Sequence, residues 1–275
     1  MTRFESPSRG GPWAVPVSDA ERRTGSARTA VLWMLLAAAV GGGTWLLVRR
    51  VSGPDANGRS GPGETAQAGA GAAGPGDWPI FRGDPALRGA APGTLAARLR
   101  RLWRVPTGAR VQSAPVVAGG RVFFGNDAGW LFCLRADTGR ELWSVRLGGR
   151  PIESAPTYAD GVLYVAEESG TLHARSAADG AERWRYATED AIHGSPNVVR
   201  GPRGRVRAVL IGSYDRYLHA VSPADGSRLW RYGTDDYVHP TVALAGGRAV
   251  FGGCDERLHV VRVADGAGVR TVRVD

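Results

Sequence analysis

Histidine, cysteine and clustered arginine are the residue types in this chain that could hold a metal, attack a carbonyl or grip a phosphate. The five histidines fall at two recurring positions. His173, His219 and His259 share one local pattern with Phe132, which reads as a preference for a flat side chain in a strand and not as a ligand cluster. His193 and His239 share a second pattern with Gln112 and Glu153. A zinc site wants three or four ligands of fixed geometry, and no such spacing occurs, so no metal is expected. Cys133 and Cys254 stand 121 positions apart, which excludes a disulfide scaffold and a CxxC-type site. Arg200, Arg203, Arg205 and Arg207 crowd one short stretch. It reads as a solvated hairpin tip, with a phosphate or an acidic partner as the functional alternative. GAGAAG at 69–74 matches a dinucleotide-loop pattern, but no strand precedes it and Pro75 follows at once. Ser-His-Asp spacing, G-x-S-x-G and a Walker loop are all missing.

The elements that must carry these residues fall into four compartments. Residues 1–29 are polar and read as a disordered tail, cytoplasmic if the following domain is extracytoplasmic as the resemblance described below implies. Residues 30–48, AVLWMLLAAAVGGGTWLLV, carry no charge. At 1.5 Å per residue the run spans about 28 Å, close to a bilayer core, and reads as one transmembrane helix. It is too long, and its leading tail too long, for a cleaved signal peptide. Three arginines flank it on each side, so charge does not set its orientation. Residues 49–77 hold eight Gly, six Ala and three Pro, a flexible linker with a reach of roughly 30 Å. The 35 basic and 26 acidic residues give +9, but every basic residue is arginine and they are scattered. With no aromatic stacking set among them, nucleic acid is not expected as a partner.

From residue 78 onward the chain repeats. Units at 111–143, 152–184, 192–230 and 238–270 start 41, 40 and 46 residues apart, and the third carries six extra residues around GPRGRVR. Each holds four short β-rich runs between Gly/Asp/Asn turns, as in VQSAPVV, RVFFG, WLFCL and ELWSV. Four strands in ~40 residues is the pattern of a propeller blade. Trp143, Trp184 and Trp230 close the first three units, and Arg270 holds that place in the fourth. An additional strand, RLWRVP at 101–106, offers Trp103. A buried tryptophan covers ~200 Å², so these four read as structural glue between blades. First strands line a propeller's channel, which makes Gln112, Glu153, His193 and His239 candidate contacts for a ligand or partner.

The LRADTGRELW stretch resembles the tryptophan-docking motif of pyrroloquinoline-quinone-type (PQQ-like) β-propeller repeats. DWPIFRGDPALRG at 77–89 resembles the W-P-x-F-R-G opening of bacterial envelope propellers, and the style is similar to that of outer-membrane assembly propeller lipoproteins. The resemblance implies an all-β, PQQ-like propeller over 78–275, with about four four-stranded blades in an open half ring or a truncated one. It implies a non-catalytic interaction scaffold on the extracytoplasmic, periplasmic side, with the membrane and protein partners, or a second copy, at exposed blade edges. The alternatives are a quinone-dependent dehydrogenase-like protein and a fragment of a larger propeller. Such an enzyme would need vicinal cysteines and calcium ligands that do not carry over here, so no quinone cofactor is expected.

Overall fold

The computed structural model describes residues 76–91 and 97–274. The expected tail (1–29), the transmembrane helix (30–48) and the linker as far as residue 75 lie outside the described residues. Among the described residues, no helix is long and apolar enough to cross a membrane.

Sixteen strands form four antiparallel meanders, each strand pairing with the next in sequence. Blade 1 comprises β1 (Val116–Ala118), β2 (Arg121–Gly125), β3 (Trp130–Arg135) and β4 (Glu141–Arg146). Blade 2 comprises β5 (Thr157–Ala159), β6 (Val162–Glu167), β7 (Thr171–Ser176) and β8 (Glu182–Ala187). Blade 3 comprises β9 (Asn197–Arg200), β10 (Val206–Gly212), β11 (Tyr217–Val221) and β12 (Arg228–Gly233). Blade 4 comprises β13 (Ala243–Ala245), β14 (Arg248–Gly252), β15 (Arg257–Arg262) and β16 (Gly268–Arg273). The middle strands are near-continuous apolar runs because both their faces are covered, whereas β8 and β12 alternate as half-solvated outer strands do. The innermost hairpins of blades 1, 2 and 4 turn on two consecutive positive-φ residues, such as Asp160 (φ 51°) and Gly161 (φ 77°). That geometry matches the strand twist and demands such residue types.

The tryptophans connect successive blades. Trp143, Trp184 and Trp230 donate from Nε1 to the carbonyls of Ala177 (3.3 Å), Pro223 (3.0 Å) and Val263 (3.2 Å) in the following blade. Each indole lies on a turn glycine, Gly180, Gly226 or Gly266, so closely that a Cβ there would sit 2.6–2.9 Å from ring carbon. In every blade a β-bulge interrupts the third-to-fourth strand pairing beside this position, between Cys133 and Leu134 in blade 1 and at the equivalent places in the others. A bulge re-aims the local side chain, here towards the neighbouring blade. Trp103 makes the same contact with blade 1, donating to Ala136 O at 2.8 Å over Gly139. It thereby covers, together with Trp78, Val105 and Val111, the face of blade 1 that no other blade among the described residues covers. Three further apolar clusters join blades 1 and 2, 2 and 3, and 3 and 4. The far side of blade 4 leaves Leu258, Val269 and Val272 exposed.

The lead-in is a strap across the innermost strands. Trp78 exchanges both backbone hydrogen bonds with Val117 of β1, and Pro79 O accepts from Tyr158 N of β5. Pro85 O accepts from Asn197 Nδ2 of β9 and from Leu244 N of β13. Gly83 is required within it, because a Cβ there would meet the Trp78 ring at 2.7 Å.

Candidate functional site

Gln112, Glu153, His193 and His239 each stand four residues ahead of an innermost strand, so the repeat brings them to one end of neighbouring blades. Gln112 Nε2 donates to Glu153 Oε1 (3.1 Å) and to Asp127 Oδ1 (3.2 Å), and Arg110 Nε donates to Asp127 Oδ2 (2.8 Å). His193 Nδ1 lies 3.1 Å from Glu153 Oε2 and its ring stacks on His239, with centroids 5.4 Å apart. Tyr214 Oη is 2.7 Å from His239 Nδ1, and the Tyr214 ring stacks on Tyr237 at 4.5 Å. The four residues thus form a continuous track over all four blades, polar at the blade 1 end and aromatic at the blade 4 end. Burial and the neighbouring His193 charge hold His239 below the ordinary histidine range. Neutral imidazole, phenol, amide and carboxylate together can hydrogen-bond and stack against a polar ligand or a peptide side chain. Tyr237, at 42% exposure, is the outward surface of the aromatic end.

Tyr214 and Tyr237 were not among the sequence candidates. Tyr214 holds the repeat position of Asp127 and Cys254, where type varies so widely that no pattern marks it. Serine and threonine beside the track were equally silent. Ser113 donates to Ser154 O, Ser195 Oγ accepts from Ala155 N, and Thr241 Oγ1 accepts from Ser195 N, so each ties one blade to the next.

The second histidine set stands in third strands, as expected, and makes contacts there that the repeat does not announce. His173, His219 and His259 are buried in the blade interfaces, each against a carboxylate. His219 Nε2 is 3.0 Å from Asp215 Oδ2, and His219 Nδ1 is 2.9 Å from Tyr186 Oη of the preceding blade. Burial acts upward on Asp215, but the His219 hydrogen bond and charge, with the N–H groups of Glu189 and Tyr217, hold it below its ordinary value. An ionised carboxylate can only accept, so Nε2–H donates to Asp215, and in the neutral ring Nδ1 accepts from the Tyr186 hydroxyl. Asp255, His259 and Tyr232 repeat the arrangement between blades 3 and 4. Between blades 1 and 2, His173 has Glu167 at 3.0 Å, but Val145 stands in the tyrosine position and His173 Nδ1 has no hydrogen-bond partner. Blade 1 itself is apolar there, with Phe132, Ala128 and Val105. The signal was present as Trp-x-Tyr in RWRY and LWRY, one blade before His219 and His259. These groups are consumed by packing. Cys133 is buried in β3, its thiol pushed up to about 11 by burial, and Cys254 is exposed on blade 4.

Four meanders side by side, each presenting a tryptophan to a glycine turn of the next, define a PQQ-like β-propeller module. Residues 95–232 and 128–270 match the family described as outer membrane protein assembly factor BamB. Those overlapping matches take in more than half of the chain, which belongs to that PQQ-like propeller family. The structure of BamB from Moraxella catarrhalis is similar at 21% identity and a TM-score of 0.54, over 62% of this chain and 52% of that one. The quinohemoprotein alcohol dehydrogenase of Comamonas testosteroni is similar at 17% identity and 0.57, over 75% and 42%. ADHIIG, the quinohemoprotein alcohol dehydrogenase of Pseudomonas putida HK5, is similar at 16% identity and 0.60, over 72% and 40%. Identities this low show the fold alone. The chain spans about half or less of the length of those proteins. No curated protein matches it.

Proposed function

We propose that this chain is a non-catalytic interaction scaffold: a PQQ-like propeller arc held to a membrane by residues 30–48 and facing the extracytoplasmic side. The observation that carries this reading is the track from Arg110 to Tyr237, which crosses every blade and puts hydrogen-bonding and aromatic surface along one rim of the row of blades. Gln112, Glu153, His193 and His239 are its contact residues for a partner's polar segment. Membership in the assembly-factor family supports a scaffold in the cell envelope. The uncapped side of blade 4 is a second contact surface, for a protein partner or another copy. Trp103, Trp143, Trp184 and Trp230 are structural. A quinone-dependent enzyme is supported by the likeness in fold to the quinohemoproteins, while the two cysteines, on blades 1 and 4, form no vicinal pair.

Two measurements test the proposal. A C-terminal alkaline phosphatase fusion is expected to be active, and an active cytoplasmic reporter at the same place refutes the topology. A photo-crosslinking residue at Tyr237 is expected to give discrete protein adducts in native membranes, and one at the exposed outer-strand Leu229 is not. Reduction of an artificial electron acceptor by alcohols or sugars, dependent on added quinone and calcium, overturns the scaffold reading.

A further inference from the structure

The β9–β10 connection of blade 3 is longer than its counterparts, and the structure shows what the extra residues build. A cleft there is lined by Gly201, Pro202, Arg203, Arg205 and Arg207. Beside it, Asp160 accepts at Oδ1 from Arg200 Nη1 at 2.8 Å and at Oδ2 from Val206 N at 3.0 Å. Arg200 is held further by donating to Gly204 O at 2.6 Å. Among the described residues, Arg203, Arg205 and Arg207 therefore have no carboxylate within ion-pair distance, and all three are exposed. Two features aim them together. A bulge falls between Val206 and Ala208, so Arg207 is the unpaired additional residue of β10 and projects out of the regular alternation. Gly201 then leaves the path of its stem open, because a Cβ there would lie 2.5 Å from Arg207 Cδ.

We propose that this cleft is an anion site for a phosphate group, either free or carried on a lipid headgroup. Three guanidiniums line one short cleft, the carboxylate beside them, Asp160, being hydrogen-bonded to Arg200 and to Val206 N and acting on Arg205 only through space, and their planar donor forks match phosphate oxygens two at a time. The site lies at the opposite end of the innermost strands from the track, in the turn between β9 and β10. It is independent of the scaffold reading.

The test uses the full chain in non-ionic detergent, titrated at constant ionic strength with inorganic phosphate and, separately, with dihexanoyl phosphatidic acid, followed by ³¹P line width. Saturable broadening is expected with at least one of them. The Arg203→Gln/Arg205→Gln/Arg207→Gln variant should weaken it roughly ten-fold, the loss of about one charge-assisted hydrogen bond or more. Arg140→Gln, at an exposed arginine of blade 1, should leave it unchanged. Saturation by phosphate itself identifies a free anion as sufficient, and saturation by the lipid alone identifies the headgroup. Broadening that does not saturate, or that the triple variant shares with the unaltered chain, overturns the proposal.

Discussion

Replacing His219 by Phe is expected to destabilise the arc severely, although Phe132 fills the same repeat position in blade 1. The His219 and Asp215 side chains are each only 3% exposed. Removing the imidazole leaves the Asp215 carboxylate with the N–H groups of Glu189 and Tyr217 alone, and leaves the Tyr186 hydroxyl without its acceptor. Breaking a buried pair on one side costs about 3–5 kcal/mol, because an uncompensated charge remains. Blade 1 shows how the penalty is avoided, since Phe132 is accompanied by Ala128 and Val105 and has neither acid nor tyrosine to strand. The combination His219→Phe/Asp215→Ala/Tyr186→Val should therefore recover most of the loss, to within about 1 kcal/mol of the unaltered protein. Urea denaturation of the chain in detergent, followed by tryptophan fluorescence, reads both. A single variant within about 1 kcal/mol of the original, or a triple variant no better than the single, would refute the coupling.

Four further outcomes are expected. Val145→Tyr should exceed Val145→Phe in stability by about 1 kcal/mol, because only the tyrosine offers a hydroxyl to His173 Nδ1; equal midpoints contradict this. Gly226→Ala should cost more than Gly246→Ala, since both glycines have positive φ but only the first supports an indole, that of Trp184; a difference under about 1 kcal/mol counts against tryptophan docking. Asp215 and Asp255 titrate below their ordinary value of 3.8, so their contribution is complete above that pH and is lost as pH falls through the lower, folded value. Melts should accordingly be level from neutral pH to about 4 and fall below it, less so in Asp215→Ala, and a fall centred near pH 6 would point to the histidines instead. Iodoacetamide should label Cys254 alone in the folded chain and Cys133 only after unfolding, and mass spectrometry showing early Cys133 adducts would contradict its burial.

The blades were legible because their grammar is local: a Gly/Asp turn, an apolar run and a tryptophan recur at fixed offsets whatever the ring does. The placement of Gln112, Glu153, His193 and His239 at a common end follows from that repeat alone. The partners of those residues do not, because Tyr214 and Tyr237 reach the track from turns whose sequence varies freely. The contacts of His219 were hidden for a related reason. A histidine in a strand looks the same on paper whether it faces water or a carboxylate, and its acid lies four residues away while its tyrosine sits in another blade. The strap was visible as a motif, but the atoms it binds lie up to 159 residues further on, and no local pattern encodes that distance.

That distance has a kinetic meaning. A row of blades touching only its neighbours behaves like a solenoid, in which any blade can form or fray without waiting for the rest. The strap breaks this independence, since Pro85 needs Leu244 of blade 4 before its carbonyl is fully satisfied. During synthesis at about 5–20 residues per second, residue 85 waits roughly 10–30 s for residue 244 to be made. Through that interval Trp78 and Ile80 can dock on blades 1 and 2, but the far end of the strap stays unlatched. Completion of blade 4 is thus sensed by a segment made before any of the four blades, which couples them into one cooperative row.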